Sequence, residues 1–134
     1  MKKIKNLKNG KILYKNHRDE PYFSFVKKGV KTIEGRIKQD LYEKLELEDE
    51  ILVFNNKETD KIRVIVKGLR TYSSFKEMLK KEDFKKILPN VDSIEEGVKI
   101  YRKFYTSEQE KEFGVIAIGV EVRKRQNPFS KIKS

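Results

Sequence analysis

The strongest constraint on the fold lies near the C-terminal end, where Val115-Ile116-Ala117-Ile118-Gly119-Val120-Glu121-Val122 is the longest buried-strand signal of the chain. A run this short and this rich in β-branched residues reads as a strand, and it is far from the ~18–20 apolar residues that span a bilayer. Further strand candidates fall at 11–15, 30–37, 50–56 and 61–72. The pair around the polar turn Asn55–Asp60 reads as a hairpin: Ile62, Val64 and Val66 alternate with Arg63 and Lys67, and Gly68 marks a bend. Helical patterns separate the strands. Tyr22, Phe25 and Val26 fall at i, i+3 and i+4 between Pro21, suited to a first turn, and Gly29, suited to a left-handed cap. Residues 40–45 predict a short helix or turn. Ser73 or Ser74 can cap a helix, with Glu77 completing a capping box from Ser74, and the helical pattern continues through Phe84, Ile87 and Leu88 to Pro89. Asp92 or Ser93 opens a further helix carrying Ile94, Val98, Tyr101 and Phe104–Tyr105, in which Gly97 implies close packing. These elements predict an α+β domain of five or six strands with three or four flanking helices.

One domain is expected at this length, with a flexible basic arm at 1–10, the folded body at 11–123 and a basic tail at 124–134. Charged residues make up 40% of the chain and hydrophobic ones 37%, a small core inside a heavily solvated surface. There are no cysteines, so disulfides, thiol nucleophiles and zinc–thiolate sites are excluded. The N-terminus is basic without an apolar segment, so no secretory signal is expected. The reading is of an intracellular protein, cytoplasmic or nuclear, monomeric and without a membrane partner. The net charge of +11 is unevenly placed. Residues 1–38 carry 12 Lys/Arg against 3 Asp/Glu, whereas residues 39–122 carry 15 against 18. Residues 123–134 add 5 basic residues and no acid. Basic ends on a near-neutral body favour a polyanionic partner.

Within the first basic segment lies Gly29-Val30-Lys31-Thr32-Ile33-Glu34-Gly35-Arg36. In an extended chain Val30, Thr32, Glu34 and Arg36 share one face and Lys31, Ile33, Gly35 and Ile37 the other. Glu34 and Arg36 are then expected in solvent or facing a cleft, with Gly35 between them marking a bulge or a place where a ligand comes close. Lys31 leaves the opposite face, so a site shared with Glu34 requires a bulge or the loop after Gly29. His17 sits in the polar stretch Asn16–Glu20 without a catalytic partner at useful spacing. Phe104 and Tyr105 read as core rather than as a base-stacking platform. Glu108, Glu110 and Glu112 read as solvated helix surface rather than a cation site.

The order Gly29-x-Lys31-x-x-Glu34-x-Arg36 resembles the G-x-K-x-x-E-x-R signature of the ASCH domain, a relative of the PUA-like RNA-binding barrels. Pro21–Lys28 resembles the amphipathic helix that feeds the signature. Leu45–Phe54 resembles the family's second strand, with Glu48-Asp49 where a Gly-Asp turn is usual, and Tyr101–Glu121 resembles the closing helix and strand. The likeness implies a mixed, mostly antiparallel β-barrel and a basic cleft that binds RNA or a modified nucleotide. Lys31, Thr32, Glu34 and Arg36 would bind there, with Lys27 and Lys28 flanking, and no cofactor or metal is implied. It also implies two hydrolase readings. In a ribonuclease, Lys31 would stabilise charge and Glu34 act as base. In an N4-acylcytidine amidohydrolase, Lys31 would be the base. That branch carries Lys-Thr-x-Thr-x-Arg, and here Glu34 stands at its second threonine while Asn90 falls near its remote glutamate. Thr32 would have to serve as nucleophile. A protein-interaction module is the remaining alternative.

Overall fold

A computed structural model describes residues 1–123; the basic tail expected at 124–134 lies outside the described residues. The strands are β1 (Lys2–Asn6), β2 (Ile12–Arg18), β3 (Ile33–Ile37), β4 (Glu50–Asn55), β5 (Lys61–Tyr72) and β6 (Val115–Val122). The helices are α1 (Tyr22–Lys28), α2 (Phe75–Lys81), α3 (Phe84–Ile87), α4 (Ile94–Arg102) and α5 (Ser107–Phe113), with a 3-10 helix at Asp40–Lys44. The strands form one sheet in the order β1-β2-β4-β5-β6-β3, in which β2 and β4 are parallel and the other neighbours antiparallel.

Three expectations are corrected. The sheet is mixed but not closed: β1 and β3 are its edges, so a hydrogen-bonded barrel is not formed. Among the described residues there are five α helices rather than three or four, because extended Glu82 and Asp83 divide what reads as one continuous helix into α2 and α3 and the acidic run 107–113 is itself helical. Lys2–Asn6 is a paired edge strand rather than a flexible arm, antiparallel to β2 from Lys2 opposite Lys15 to Asn6 opposite Ile12. Its side chains are all exposed, so no apolar alternation announces it, and its lysines suit an unprotected edge.

β6 explains why the closing run is apolar on both parities. Ile116 and Ile118 join Tyr14, Phe23, Val26, Ile51, Val53 and Val64 on one face of the sheet. Val115 and Ala117 join Ile33, Ile37, Phe75, Met78 and Leu79 on the other. A central strand covered on both faces loses its polar alternation. The helix caps follow the sequence closely. Gly29 ends α1 at φ +79°, and Ser74 and Ser93 accept hydrogen bonds from the Glu77 and Glu96 amides. The Glu77 carboxylate reaches the Ser73 amide at 3.2 Å instead of closing the box on Ser74.

Gly35 is a packing device. A Cβ built on it would lie 2.6 Å from both Met78 Cε and Tyr101 Oη. Gly35→Ala is therefore expected to cost about 1–3 kcal/mol by overpacking, read as a lower midpoint in denaturant. At the turn before β4, Glu48 adopts φ +74°, the left-handed conformation that favours glycine, while buried Asp49 accepts hydrogen bonds from the Ile12 and Glu46 amides at 2.9 and 2.8 Å. The missing turn glycine thus left its backbone geometry in place. Glu48→Gly should raise stability by roughly 0.5–1 kcal/mol, measured by chemical denaturation, since the exposed Lys67 pair that is lost contributes little.

Candidate functional site

Because Glu34 lies opposite Ile118 and Arg36 opposite Ile116 in the β3–β6 ladder, both charges leave β3 on the face of the first core cluster. Ile33 and Ile37, of the other parity, enter the second cluster beneath α2 and α4, with Gly35 between them against Met78 and Tyr101. The alternation is as the sequence predicts, and its consequence is a pair of charges turned into the molecule. Lys31 precedes the strand. Its amide and that of Val30 both bond to Phe25 O at the end of α1, so residues 30–32 are a connection in which strand parity does not apply. This lets Lys31 meet Glu34 and Arg36 in one cleft without a bulge.

The cleft has a volume of about 160 Å³. At about 30 Å³ per water in the liquid that is room for about five waters, hence for a phosphate or a planar ring. At its base the Glu34 carboxylate bonds Arg18 Nη2 at 2.7 Å and lies 3.7 Å from Arg36 Nε. The side chains are deeply sunk, with Arg18 and Glu34 each 13% exposed and Arg36 18%. The Arg36 guanidinium sits 5.0 Å from the centre of the Tyr42 ring, a cation–π geometry. Lys31, only 3% exposed, donates to Ile33 O at 3.0 Å and to Ile87 O, tying β3 to the end of α3. An ammonium has three donors, so one is left over. Tyr22, Tyr101, Phe104 and Tyr105 wall the opening. Tyr101 and Tyr105 are in turn fixed by stacking on Phe75, with centroids 4.2 and 5.3 Å away. Three cations thus face one carboxylate, and the Nε atoms of both Arg18 and Arg36 are buried without a hydrogen-bond partner.

These charges set one another's protonation. Burial alone would raise the Glu34 pKa, but Arg18, Lys31 and Arg36 outweigh it and hold the carboxyl below 4.5. Burial pushes Lys31 down to about 8, with Glu34 opposing and the two arginines reinforcing the shift. Burial also depresses Arg18, whereas for Arg36 burial is overcome by Glu34, Tyr42 and Tyr105 and the pKa rises. Burial, then Glu34, raises the Tyr101 phenol. Glu34 is therefore a fixed anion whose oxygens face Arg18 and Arg36, a poor proton acceptor near neutral pH.

Of the residues named from sequence, Lys31, Glu34 and Arg36 come together here. Thr32 does not line the cleft: its amide donates to Lys86 O and its carbonyl accepts from the Val120 amide. Lys27 and Lys28 project from α1 into solvent, with Lys27 2.6 Å from Asp60. Asn90 is exposed and outside the cleft. Arg18 was missed. The strand expected at 11–15 runs on to Arg18, and the parity of Tyr14 and Asn16 carries it inward, a signal recoverable by extending the alternation. His17 lies on the same strand at the cleft's edge, 3.0 Å from Glu58. Phe104 is exposed, contrary to its reading as core. Glu110, read as solvated, is buried and accepts from the Phe75 amide at 2.9 Å and Arg102 at 3.1 Å, anchoring α5 to α2 and α4. Among the described residues no group of three or more His, Asp or Glu converges as a metal site requires, and no helix is long and apolar enough to cross a membrane.

Comparison with known proteins gives a consistent placement. The ASCH domain family model matches residues 18–132. The crystal structure of hypothetical protein PH0355 superposes with a TM-score of 0.75 at 43% identity, covering 83% of this chain and 99% of that one. The solution structure of protein PF0455 from Pyrococcus furiosus superposes with a TM-score of 0.69 at 34% identity, covering 84% and 99%. No curated protein matches. With the family model matching most of the sequence, the chain belongs to the ASCH domain family.

Proposed function

We propose that the cleft binds RNA or a modified nucleotide, with phosphate drawn to Arg18, Lys31 and Arg36 and a base held among the aromatic walls. The observation that carries this reading is the surplus of buried cations over the single carboxylate Glu34, with two unpartnered Nε donors beside it. Guanidinium groups bind phosphate as a planar fork, and a cleft of low polarizability strengthens that attraction. Family membership points the same way, because ASCH domains resemble the PUA-like RNA-binding domains.

Fluorescence anisotropy with labelled single-stranded RNA tests this, with saturable binding as the expected result. The logarithm of affinity should fall with the logarithm of salt with a slope of about −0.7 per phosphate neutralised. Affinity that is constant from low to high salt contradicts the electrostatic basis. A pH dependence is also expected. Lys31 loses its charge as pH rises through about 8, so anion affinity weakens above that value. Lys31→Met removes this alkaline decline, and an unchanged profile in that variant would show that another group causes it.

Binding is favoured over hydrolysis. A ribonuclease using Glu34 as base needs a carboxylate poised nearer neutrality, and Glu34 is held the other way. Amidohydrolysis draws some support from Lys31, whose depressed pKa suits a base, but Thr32 is not in the cleft as its nucleophile. The expected outcome with N4-acetylcytidine is no turnover.

A further inference from the structure

The ring that least resembles packing is Phe104. It is 61% exposed, the most exposed large hydrophobic side chain among the described residues, yet it stands at the opening of the charged cleft. Its position is held. The amides of Phe104 and Tyr105 both donate to Tyr101 O, at 3.0 and 2.9 Å, and Arg102 donates to Tyr105 O at 3.4 Å, so the backbone beyond α4 is tied to that helix. A solitary exposed phenylalanine needs no explanation by itself. This one borders a cleft in which three cations face a single carboxylate. An exposed ring beside a site with excess positive charge is an arrangement that holds unpaired nucleic acid. Every base offers a π-face to stack, and the backbone follows the charges.

We infer that Phe104 is a stacking platform for the base flanking the nucleotide held in the cleft, so that the ligand is a single RNA strand of two or more nucleotides. The inference rests on the reading of the cleft as a nucleotide site and adds the form of its ligand. A duplex does not fit, because its bases are already stacked on one another and present no free face.

The test compares a labelled single-stranded RNA hexamer, the same sequence as a duplex, and AMP, against the full-length protein. Phe104→Ala is expected to leave the melting temperature unchanged, since the ring is exposed, and to weaken hexamer binding by roughly 5- to 100-fold. Phe104→Trp should restore it, and AMP should lose less affinity than the hexamer. Hexamer affinity unchanged in Phe104→Ala, in a protein whose Arg36→Ala variant binds more weakly, overturns the platform while leaving the cleft reading intact. An equal loss for AMP overturns the two-nucleotide form, and a duplex bound as tightly as the single strand overturns stacking. Wild-type protein that binds none of the three overturns both readings.

Discussion

Glu34→Gln is expected to lower the unfolding free energy by about 3–5 kcal/mol, the cost of leaving buried charges without their counter-ion. For a domain of this size that is a fall in melting temperature of roughly 10–20 °C. The substitution keeps the side chain's shape and removes the one negative charge among Arg18, Lys31 and Arg36. Arg18→Met should cost less, because Arg36 and Lys31 still face the carboxylate. Acidification gives a second signature. The folded pKa of Glu34 lies below its ordinary 4.5, so folding favours the ionised form. Its contribution is complete above that ordinary value and is lost as pH falls through the lowered one. Over that window wild type loses stability that Glu34→Gln never had, and the gap between their denaturation midpoints narrows. Added phosphate or sulfate should recover part of the loss in Glu34→Gln, because an anion in the cleft replaces the missing charge. A variant as stable as wild type, with no anion response, would mean that the cations are not held against Glu34.

Arg36→Ala has the largest expected effect on ligand affinity, a loss of about 10- to 100-fold, corresponding to a charged hydrogen bond of about 1.5–3 kcal/mol. The guanidinium is oriented by Tyr42 beneath it and by Glu34 beside it, and its Nε has no hydrogen-bond partner in the protein. Arg36→Lys preserves the charge but neither the fork nor the stacking, so it should recover only a small part of the affinity. Isothermal titration with a single-stranded oligomer measures both. Arg36→Lys binding as well as wild type would show that only the net charge matters.

How much of this could be read beforehand differs between residues. The alternation of Glu34 and Arg36 against Ile33 and Ile37 was legible, because strand parity is local. That their face is the interior was not. It depends on Ile116 and Ile118 across the ladder and on Arg18 from β2, which is distant in sequence. Lys31 looked misplaced only because the extended stretch was drawn from Val30, whereas strand pairing begins at Ile33. Helix caps were legible at Gly29, Ser74 and Ser93, where one residue type answers a local backbone demand. β1 and α5 left weaker traces. β1 buries nothing, and in α5 the single inward carboxylate, Glu110, hides among exposed neighbours. The role of Gly35 was half visible. The close approach was expected, but the approaching groups are Met78 and Tyr101 of the protein itself.

The most direct measurement of the central claim is an NMR titration that follows the arginine Nε–Hε resonances while single-stranded RNA is added. Arg18 and Arg36 carry buried Nε donors without a protein acceptor, whereas Arg63 and Arg70 already donate to Glu50 and Glu82 at 2.6 and 2.5 Å. If the cleft receives a phosphate, the Arg18 and Arg36 resonances shift together and saturably, with the same apparent affinity as the backbone amides around Tyr101 and Tyr105, while Arg63 and Arg70 stay in place. Saturable RNA binding that leaves Arg18 and Arg36 unmoved would contradict the account.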